Sequence, residues 1–224
     1  MADTGRILIL TGSTGAGKST ACSLLVDRLD GLWLHFGIDL VLGKLVPRKF
    51  IDGGRCSEQG VHSVPDNPEN PDGPWHLDMG RYGMPVIRSF HRMAAAAVRD
   101  GQNLVIDHIA TLDPPILQDC VSAFAGLPVW FVALKPPPET SPRRIDQRLE
   151  TLVPTLGRDH AVRNSEAKKR IARWLHDQIF AHDLFDQVID TDCYGPEEVA
   201  SRIIGAMGNC DGSAFPALAR RLST

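Results

Sequence analysis

A glycine-rich segment near the N-terminus has the clearest potential for chemistry. Residues 12–19 read GSTGAGKS, which satisfies G-x-x-x-x-G-K-[ST], and they lie between an apolar run (6–11) and an amphipathic stretch (18–29). The glycines allow successive N–H groups to point into one concavity and hold a β-phosphate, and the helix N-terminus adds its positive dipole end. The alternative is a strand-to-helix turn without a ligand. The complete motif in its context instead predicts a nucleoside triphosphate site formed by Gly12, Ser13, Thr14, Gly15, Ala16, Gly17, Lys18, Ser19 and Thr20.

The end of this motif predicts the parts that phosphoryl transfer needs. Lys18 would place its charge between the β- and γ-phosphates as a catalytic residue, and the Ser19 hydroxyl could bind Mg²⁺. A second acidic group is expected at the end of a neighbouring strand, and Asp107, which ends the run LVID, is the best candidate. Its alternative role is to cap the next helix. The predicted cofactors are therefore ATP and Mg²⁺, with Ser19 and Asp107 as metal ligands.

A second carboxylate, Asp39, follows the run LWLHF (32–36) at the sheet edge where open α/β sheets bind ligands. There it could accept a proton from a substrate hydroxyl and orient that oxygen in line with the γ-phosphate. The alternative is that Asp39 caps a helix through residues 40–45, and both roles can coexist. We therefore predict Asp39 to be the general base.

A basic segment is expected to close over the nucleotide. Residues 135–173 contain ten of the 24 Lys and Arg residues and only five acidic ones. The spacing of Arg144 and Arg148 puts them on one helix face, so both guanidinium groups could stabilise the transferring phosphoryl group. Arg143 is predicted to contact the nucleotide, with Arg158 and Arg163 as other candidates. The alternative is a solvated basic face.

Around these residues, β-branched apolar runs alternate with amphipathic stretches, the pattern of βαβ units. Strands are expected at residues 6–11, 32–36, 103–109, 128–134 and 187–190, and helices at 18–29, 86–99, 114–124 and 196–207. The predicted fold is an α/β P-loop NTPase, a three-layer α/β/α sandwich around a five-stranded parallel sheet.

Two segments interrupt this alternation. Residues 52–80 contain nine Gly or Pro residues in 29, which predicts an irregular insert of about 47–84 on the substrate side. The basic segment forms a lid of about 135–173. We therefore predict one P-loop kinase domain over residues 1–210 and a poorly ordered tail at 211–224.

Composition limits the possible partners. The 224 residues are 43% hydrophobic and carry a formal net charge of −3, which argues against a dedicated binder of nucleic acid or of anionic membranes. Five cysteines without a C-x-x-C pair suggest neither a disulfide framework nor a zinc site, and no run approaches the length of a membrane span. A cytoplasmic protein acting on a small hydroxylated molecule is expected, with its oligomeric state left open.

Motifs of other P-loop classes are missing: there is no N-K-x-D and no L-S-G-G-Q. Instead, several segments resemble the chloramphenicol phosphotransferase-like kinases, relatives of shikimate kinase. After the P-loop, LWLHFGID (32–39) resembles the family stretch W-x-x-F-G-V-D. Further similarity lies in AAAAVRDG (94–101), the strand of residues 104–108 and FDQVIDT (185–191).

The resemblance implies that Asp39 is the general base and that the acceptor is a hydroxyl of an antibiotic, which would give resistance or self-protection. The chain departs from the family at His108, where the family tends to have a second acidic residue, and in its longer insert and lid. Two alternatives stay open. One is a kinase of a nucleoside, a sugar or a polynucleotide 5'-hydroxyl, and the other is a nucleotide-binding protein that sequesters a drug without modifying it.

Overall fold

The computed structural model describes residues 4–222, with the side chains of all of these except residues 152, 155, 156 and 160. Its main sheet has five parallel strands in the order β2-β5-β1-β6-β7. They span Ile7–Thr11 (β1), Trp33–His35 (β2), Asn103–His108 (β5), Val129–Leu134 (β6) and Gln187–Ile189 (β7). The predicted parallel five-stranded α/β fold is confirmed.

Helices cover both faces of this sheet. They span Lys18–Arg28 (α1), Ile38–Leu40 (α2), Gly83–Arg99 (α3), Ile116–Ala123 (α4), Thr140–Leu156 (α5), Arg158–Ile179 (α6), Pro196–Asn209 (α7) and Ala214–Leu222 (α8). Alternate residues of β1 belong to two hydrophobic cores, one on each face of the sheet. Ile7 and Ile9 pack with α3, α4 and α8, whereas Leu8 and Leu10 pack with α1 and α7. Both faces of the central strand are thus apolar, as expected for a parallel sheet enclosed by helices.

The insert is more regular than its composition predicts. It contains an antiparallel hairpin of β3 (Val61–Pro65) and β4 (Trp75–Met79), preceded by two short 3₁₀ turns. The Arg170 guanidinium of α6 lies 5.0 Å from the centre of the Trp75 ring and 4.0 Å from the Asp72 carboxylate. The hairpin therefore contacts the basic helix pair α5–α6.

Several boundaries differ from the prediction. Helix α3 begins at Gly83, three residues earlier than expected, because the chain turns into it directly from β4 through the bond from the Gly83 N–H to the Gly80 carbonyl. Strand β2 is shorter than 32–36. Residues 214–222 form helix α8, so the expectation of a poorly ordered tail is wrong for them. Within residues 4–222, we find no helix with the length and apolarity that crossing a membrane requires.

Helix α8 is held by an aromatic cluster. The Phe215 side chain is buried, and its ring centre lies 6.0 Å from that of Phe131 and 6.4 Å from that of Phe124. We expect Phe215→Ala to lower the free energy of unfolding by about 3–5 kcal/mol, because it removes a buried ring and leaves a cavity. Urea denaturation measures this change. The exposed Arg220→Ala is the control and should change the free energy of unfolding by less than about 0.5 kcal/mol. A similar small change for Phe215→Ala would contradict the packing of α8.

Candidate active site

The P-loop connects β1 to α1 at the carboxyl edge of the sheet. Gly15 and Gly17 have φ values of 84° and 96°, a left-handed conformation that residues with a Cβ rarely adopt. The Lys18 Nζ donates to the carbonyl oxygens of Gly12 at 2.8 Å and Ser13 at 3.2 Å. These two bonds hold the ammonium group against the backbone of the loop.

Asp107 lies next to the loop because β5 pairs with β1. Asp107 is paired with Leu10 in the register of the two strands, and its carboxylate is buried. The Ser19 Oγ donates to the Asp107 Oδ2 at 2.9 Å, and the Lys18 Nζ is 3.9 Å from the Asp107 Oδ1. The structure thus brings Lys18, Ser19 and Asp107 together. Asp107 does not cap α4, since that helix begins only at Ile116 after Pro115.

The oxygen atoms of the Ser19 hydroxyl and the Asp107 carboxylate fit a divalent cation such as Mg²⁺. A hydroxyl and a buried carboxylate are hard oxygen ligands, and one or two such groups together with substrate phosphates and water are how Mg²⁺ is usually held. Two softer groups lie near: the Cys22 thiol and a His35 ring nitrogen are within 4.8 Å of an Asp107 oxygen. Burial, and secondly the charge of Asp107, raise the pKa of Cys22 well above its ordinary value, so this thiol is protonated at neutral pH.

Asp39 lies on the segment that follows β2. A Cβ on Gly37 would sit 3.3 Å from the Asp107 Cβ, so the backbone leading into α2 packs against the Asp107 side chain. Asp39 is exposed, and among the described residues its carboxylate has no hydrogen-bond or ion-pair partner. The N-cap of α2 is Gly37 rather than Asp39. The carboxylate is therefore left available to solvent or a substrate, two residues from the contact with Asp107.

The arginines predicted in the lid have three different surroundings. Arg144 donates to the Thr191 Oγ1 at 2.9 Å and the Thr191 carbonyl at 2.7 Å, and at 3.3 Å to the carbonyl of Gly15. Arg143 is largely exposed and donates to the Asp192 carboxylate at 2.7 Å. Arg148 is exposed and lines a cavity together with Arg144.

This cavity lies directly beside the P-loop. It has a volume of about 180 Å³ and is lined by Gly17, Thr20, Ala21, Arg144, Arg148, Thr191, Tyr194, Pro196 and Val199. Two guanidinium groups and the start of α1 therefore face one space, which suits an anionic ligand. Thr20 lines the same space, as a residue facing the nucleotide would.

Several polar contacts of this site have no signature in the sequence. The Thr191 Oγ1 donates to the Ala16 carbonyl at 2.9 Å, and the Ser13 and Ser141 hydroxyls are 3.2 Å apart. These contacts tie the loop to the end of β7 and to the start of α5. Thr191 ends the FDQVIDT stretch and Ser141 belongs to no motif, but neither position by itself predicts a contact with the loop.

A buried histidine pair is the second feature that sequence reasoning missed. His108 follows Asp107, and its Nε2 is 2.8 Å from the Nε2 of His91, whose Nδ1 is 2.5 Å from an Asp119 oxygen. Both rings are fully buried, and burial is the main cause that lowers the pKa of His108 well below its ordinary value. Where the family tends to have a second acidic residue beside Asp107, this chain therefore has a buried histidine that pairs with His91.

The backbone of Gly15 provides a direct test of the loop. A Cβ at this position would lie 2.9 Å from the Ser141 carbonyl oxygen, in addition to the strain at φ 84°. We expect Gly15→Ala to lower the free energy of unfolding by about 1–3 kcal/mol and to weaken ATP binding about tenfold or more, because the loop must shift. Chemical denaturation and calorimetry with a non-hydrolysable ATP analogue measure the two effects.

Gly126→Ala is the matched control. Gly126 also has a positive φ, 75°, but a Cβ there would meet no atom within 4 Å. This variant should lose about 1 kcal/mol of stability through backbone strain and bind the analogue normally. Equal nucleotide affinity in the two variants would contradict the proposed use of the Gly15 backbone.

The parallel sheet and the P-loop residues together place this chain in the class of P-loop proteins with an α/β kinase-like core. The sequence profile of the family described as "Chloramphenicol phosphotransferase-like protein" matches residues 5–207, so the chain belongs to this family. Two curated Mycobacterium tuberculosis proteins, from strains CDC 1551 / Oshkosh and ATCC 25618 / H37Rv, are each 26% identical over 142 residues, and each bears the name "Putative O-phosphotransferase". The match covers 62% of this chain and 61% of each relative.

A solved structure supports the same fold. The Mycobacterium tuberculosis APS kinase CysC, in complex with AMPPNP and APS, superimposes with a TM-score of 0.52 at 14% identity. The alignment covers 92% of this chain and 98% of the kinase. This similarity shows that the five-stranded core is that of a P-loop kinase fold.

Proposed function

We propose that this protein is an ATP-dependent phosphotransferase that transfers the γ-phosphoryl group to a hydroxyl of an antibiotic or a similar natural product. The observation that carries the proposal is the juxtaposition of Lys18, Ser19 and Asp107, with the Asp39 segment packed against Asp107 through Gly37. Membership of the family supports phosphoryl transfer, and the name of the mycobacterial relatives supports an oxygen acceptor.

In this proposal each residue has a separate task. The amides of residues 12–20 and Lys18 bind the phosphates, and Arg144 and Arg148 approach them from the neighbouring cavity. Ser19 and Asp107 would hold Mg²⁺, which when bound neutralises charge on the phosphate oxygens. As the oxygen of the acceptor hydroxyl attacks the γ-phosphorus, Asp39 accepts the proton of that hydroxyl. The bond between the γ-phosphorus and the β-γ bridging oxygen breaks at the same time.

An apolar cavity supports an acceptor with a hydrophobic body. It has a volume of about 460 Å³ and lies between α3, the hairpin and the π-helical turn Val41–Leu45 that continues α2. Val41, two residues after Asp39, forms part of its wall, together with Val46, Phe50, Val61, Tyr82, Val86 and Met93. We propose that it accommodates apolar parts of the acceptor.

Mass spectrometry of hydroxylated antibiotics incubated with the protein, ATP and Mg²⁺ tests the function. A mass gain of one phosphoryl group, with stoichiometric ADP, is the expected result. A compound that binds tightly but keeps its mass would favour sequestration. Transfer only to an oligonucleotide 5'-hydroxyl, a nucleoside or a sugar would overturn the choice of acceptor and retain the chemistry.

A further inference from the structure

The segment that follows β7 contacts both the P-loop and the N-terminal part of α5. Thr191 in this segment is buried, and its hydroxyl donates to the Ala16 carbonyl at 2.9 Å. The same oxygen accepts a bond from the Arg144 Nη1 at 2.9 Å, and the Thr191 carbonyl accepts one from the Arg144 Nη2 at 2.7 Å. Because a hydroxyl has a single proton to donate, the bond to Ala16 leaves its lone pairs for the guanidinium group. Thr191 therefore links the loop to the arginine through one buried oxygen atom.

These bonds determine where the guanidinium group of Arg144 lies. Its Nη1 also donates to the Gly15 carbonyl at 3.3 Å, and a Cβ on Gly17 would be 3.9 Å from this nitrogen. In the described part of the chain, the hydrogen bonds of Arg144 use three of its five N–H groups. Arg144 also lines the cavity beside the P-loop. The two remaining N–H groups are therefore available to an anionic ligand in that cavity.

The neighbouring arginine is attached differently. Arg143 is largely exposed and donates at 2.7 Å to the carboxylate of Asp192, the residue after Thr191. An exposed ion pair of this kind contributes little to the position of a side chain, whereas removing a buried hydroxyl that is bonded on both sides is costly. Of these two arginines, Arg144 is therefore the one whose position depends on Thr191.

We infer that Thr191 is a positioning residue of the nucleotide site, whose hydroxyl and carbonyl hold the Arg144 guanidinium group against the P-loop for contact with the phosphates of ATP. The inference rests on the proposed function for the nature of the ligand, a nucleoside triphosphate. Without the hydroxyl, the Ala16 carbonyl loses this donor and the Arg144 Nη1 loses its shorter bond. The arginine side chain then becomes more mobile, and ordering it on binding lowers the affinity for the nucleotide.

Calorimetric titration with AMPPNP, a non-hydrolysable ATP analogue, in the presence of Mg²⁺ tests the inference. We expect Thr191→Val, which keeps the shape of the side chain, to weaken binding about tenfold, because it removes two hydrogen bonds, one of them to a charged group. Thr191→Ser restores the hydroxyl and should bind within about threefold of the wild type. Arg144→Lys should also weaken binding about tenfold, because an ammonium group keeps the charge but cannot reproduce the fork of N–H donors that binds the Thr191 hydroxyl and carbonyl.

A double-mutant cycle determines whether Thr191 acts through Arg144. In an Arg144→Met background, Thr191→Val should weaken binding further by less than about twofold, because the group that Thr191 positions is gone. In an Arg143→Met background, which is the matched control, Thr191→Val should keep its effect of about tenfold. A merely structural Thr191 would give the same loss in both backgrounds, and that result would overturn the inference. Binding by Thr191→Val or by Arg144→Lys within about twofold of the wild type would overturn it as well.

These outcomes are separate from those of the acceptor screen. The titrations need no acceptor, so the role of Thr191 can be supported even if the protein phosphorylates none of the antibiotics. Phosphoryl transfer without coupling between Thr191 and Arg144 would refute the positioning role and leave the proposed function intact. Urea denaturation of each variant shows whether it is folded. Arg144→Lys leaves Thr191 unchanged, so this variant remains decisive if Thr191→Val fails to fold.

Discussion

Lys18→Met should lower kcat for ATP-dependent phosphoryl transfer by about 10²–10³-fold, the usual effect of removing one group that stabilises transition-state charge. In the structure the Nζ is held by the carbonyl oxygens of Gly12 and Ser13 and lies 3.9 Å from Asp107, at a position where only 11% of its side chain is exposed. Because the site is poorly solvated, the ammonium charge acts on a phosphate with little screening. Methionine keeps an unbranched side chain of similar length and removes the charge.

The measurement is steady-state turnover of an acceptor found in the antibiotic screen, together with the dissociation constant of an ATP analogue. Arg220→Met is the control, since it removes an exposed cation on α8, outside the site, and its turnover should equal that of the wild type. Removal of Lys18 also leaves the buried Asp107 without its nearest cation, so thermal unfolding must be measured alongside. Turnover in Lys18→Met within threefold of the wild type, in a folded protein, would refute the role of this lysine.

The parallel sheet and the placement of the P-loop residues were predictable because both depend on local pattern. Residues 7–10 are apolar on both faces of the strand, which predicts a strand buried between two layers of helices. The motif that begins at Gly12 requires glycine backbone geometry that few other sequences satisfy. The position of Asp107 followed from the same logic, because parallel strands end at one edge of the sheet. The contact of Asp107 with Ser19 follows from this arrangement of the strands.

Contacts between distant segments were not predictable in the same way. Thr191 lies 47 residues from Arg144 and 175 from Ala16, yet it bonds to both. Such contacts depend on how β7 and α5 meet, and no single segment encodes that arrangement. The insert was misread as wholly irregular because its Gly and Pro residues concentrate in the turns and hide the short apolar alternation of β3 and β4. The tail helix was missed although Phe215, Leu218 and Leu222 have the i, i+3, i+7 spacing of an amphipathic helix and pack against the core.

The acceptor side is tested most directly by Asp39→Asn, which should lower kcat by about 10²–10⁴-fold and leave the affinity for the ATP analogue within about twofold. Asparagine has the same shape but cannot take up the proton of the acceptor hydroxyl. Asp39 is exposed and bonded to no described residue, so the change should leave stability within about 0.5 kcal/mol. Phosphoryl transfer passes through a loose transition state in which the attacking hydroxyl is only slightly activated. We therefore expect the loss of kcat to lie toward the lower end of that range.

Asp27→Asn is the matched control, because it changes an exposed carboxylate on α1 away from the sheet edge, and its kcat should be that of the wild type. The comparison of Asp39→Asn with Lys18→Met separates the two halves of the proposed site. The lysine variant should lose both nucleotide affinity and turnover, whereas the aspartate variant should lose turnover alone. If Asp39→Asn also loses nucleotide affinity, Asp39 acts on the metal–phosphate side with Asp107, which its segment contacts through Gly37. If it keeps normal turnover, the acceptor hydroxyl is deprotonated without Asp39, and the assignment of this carboxylate as the base is wrong.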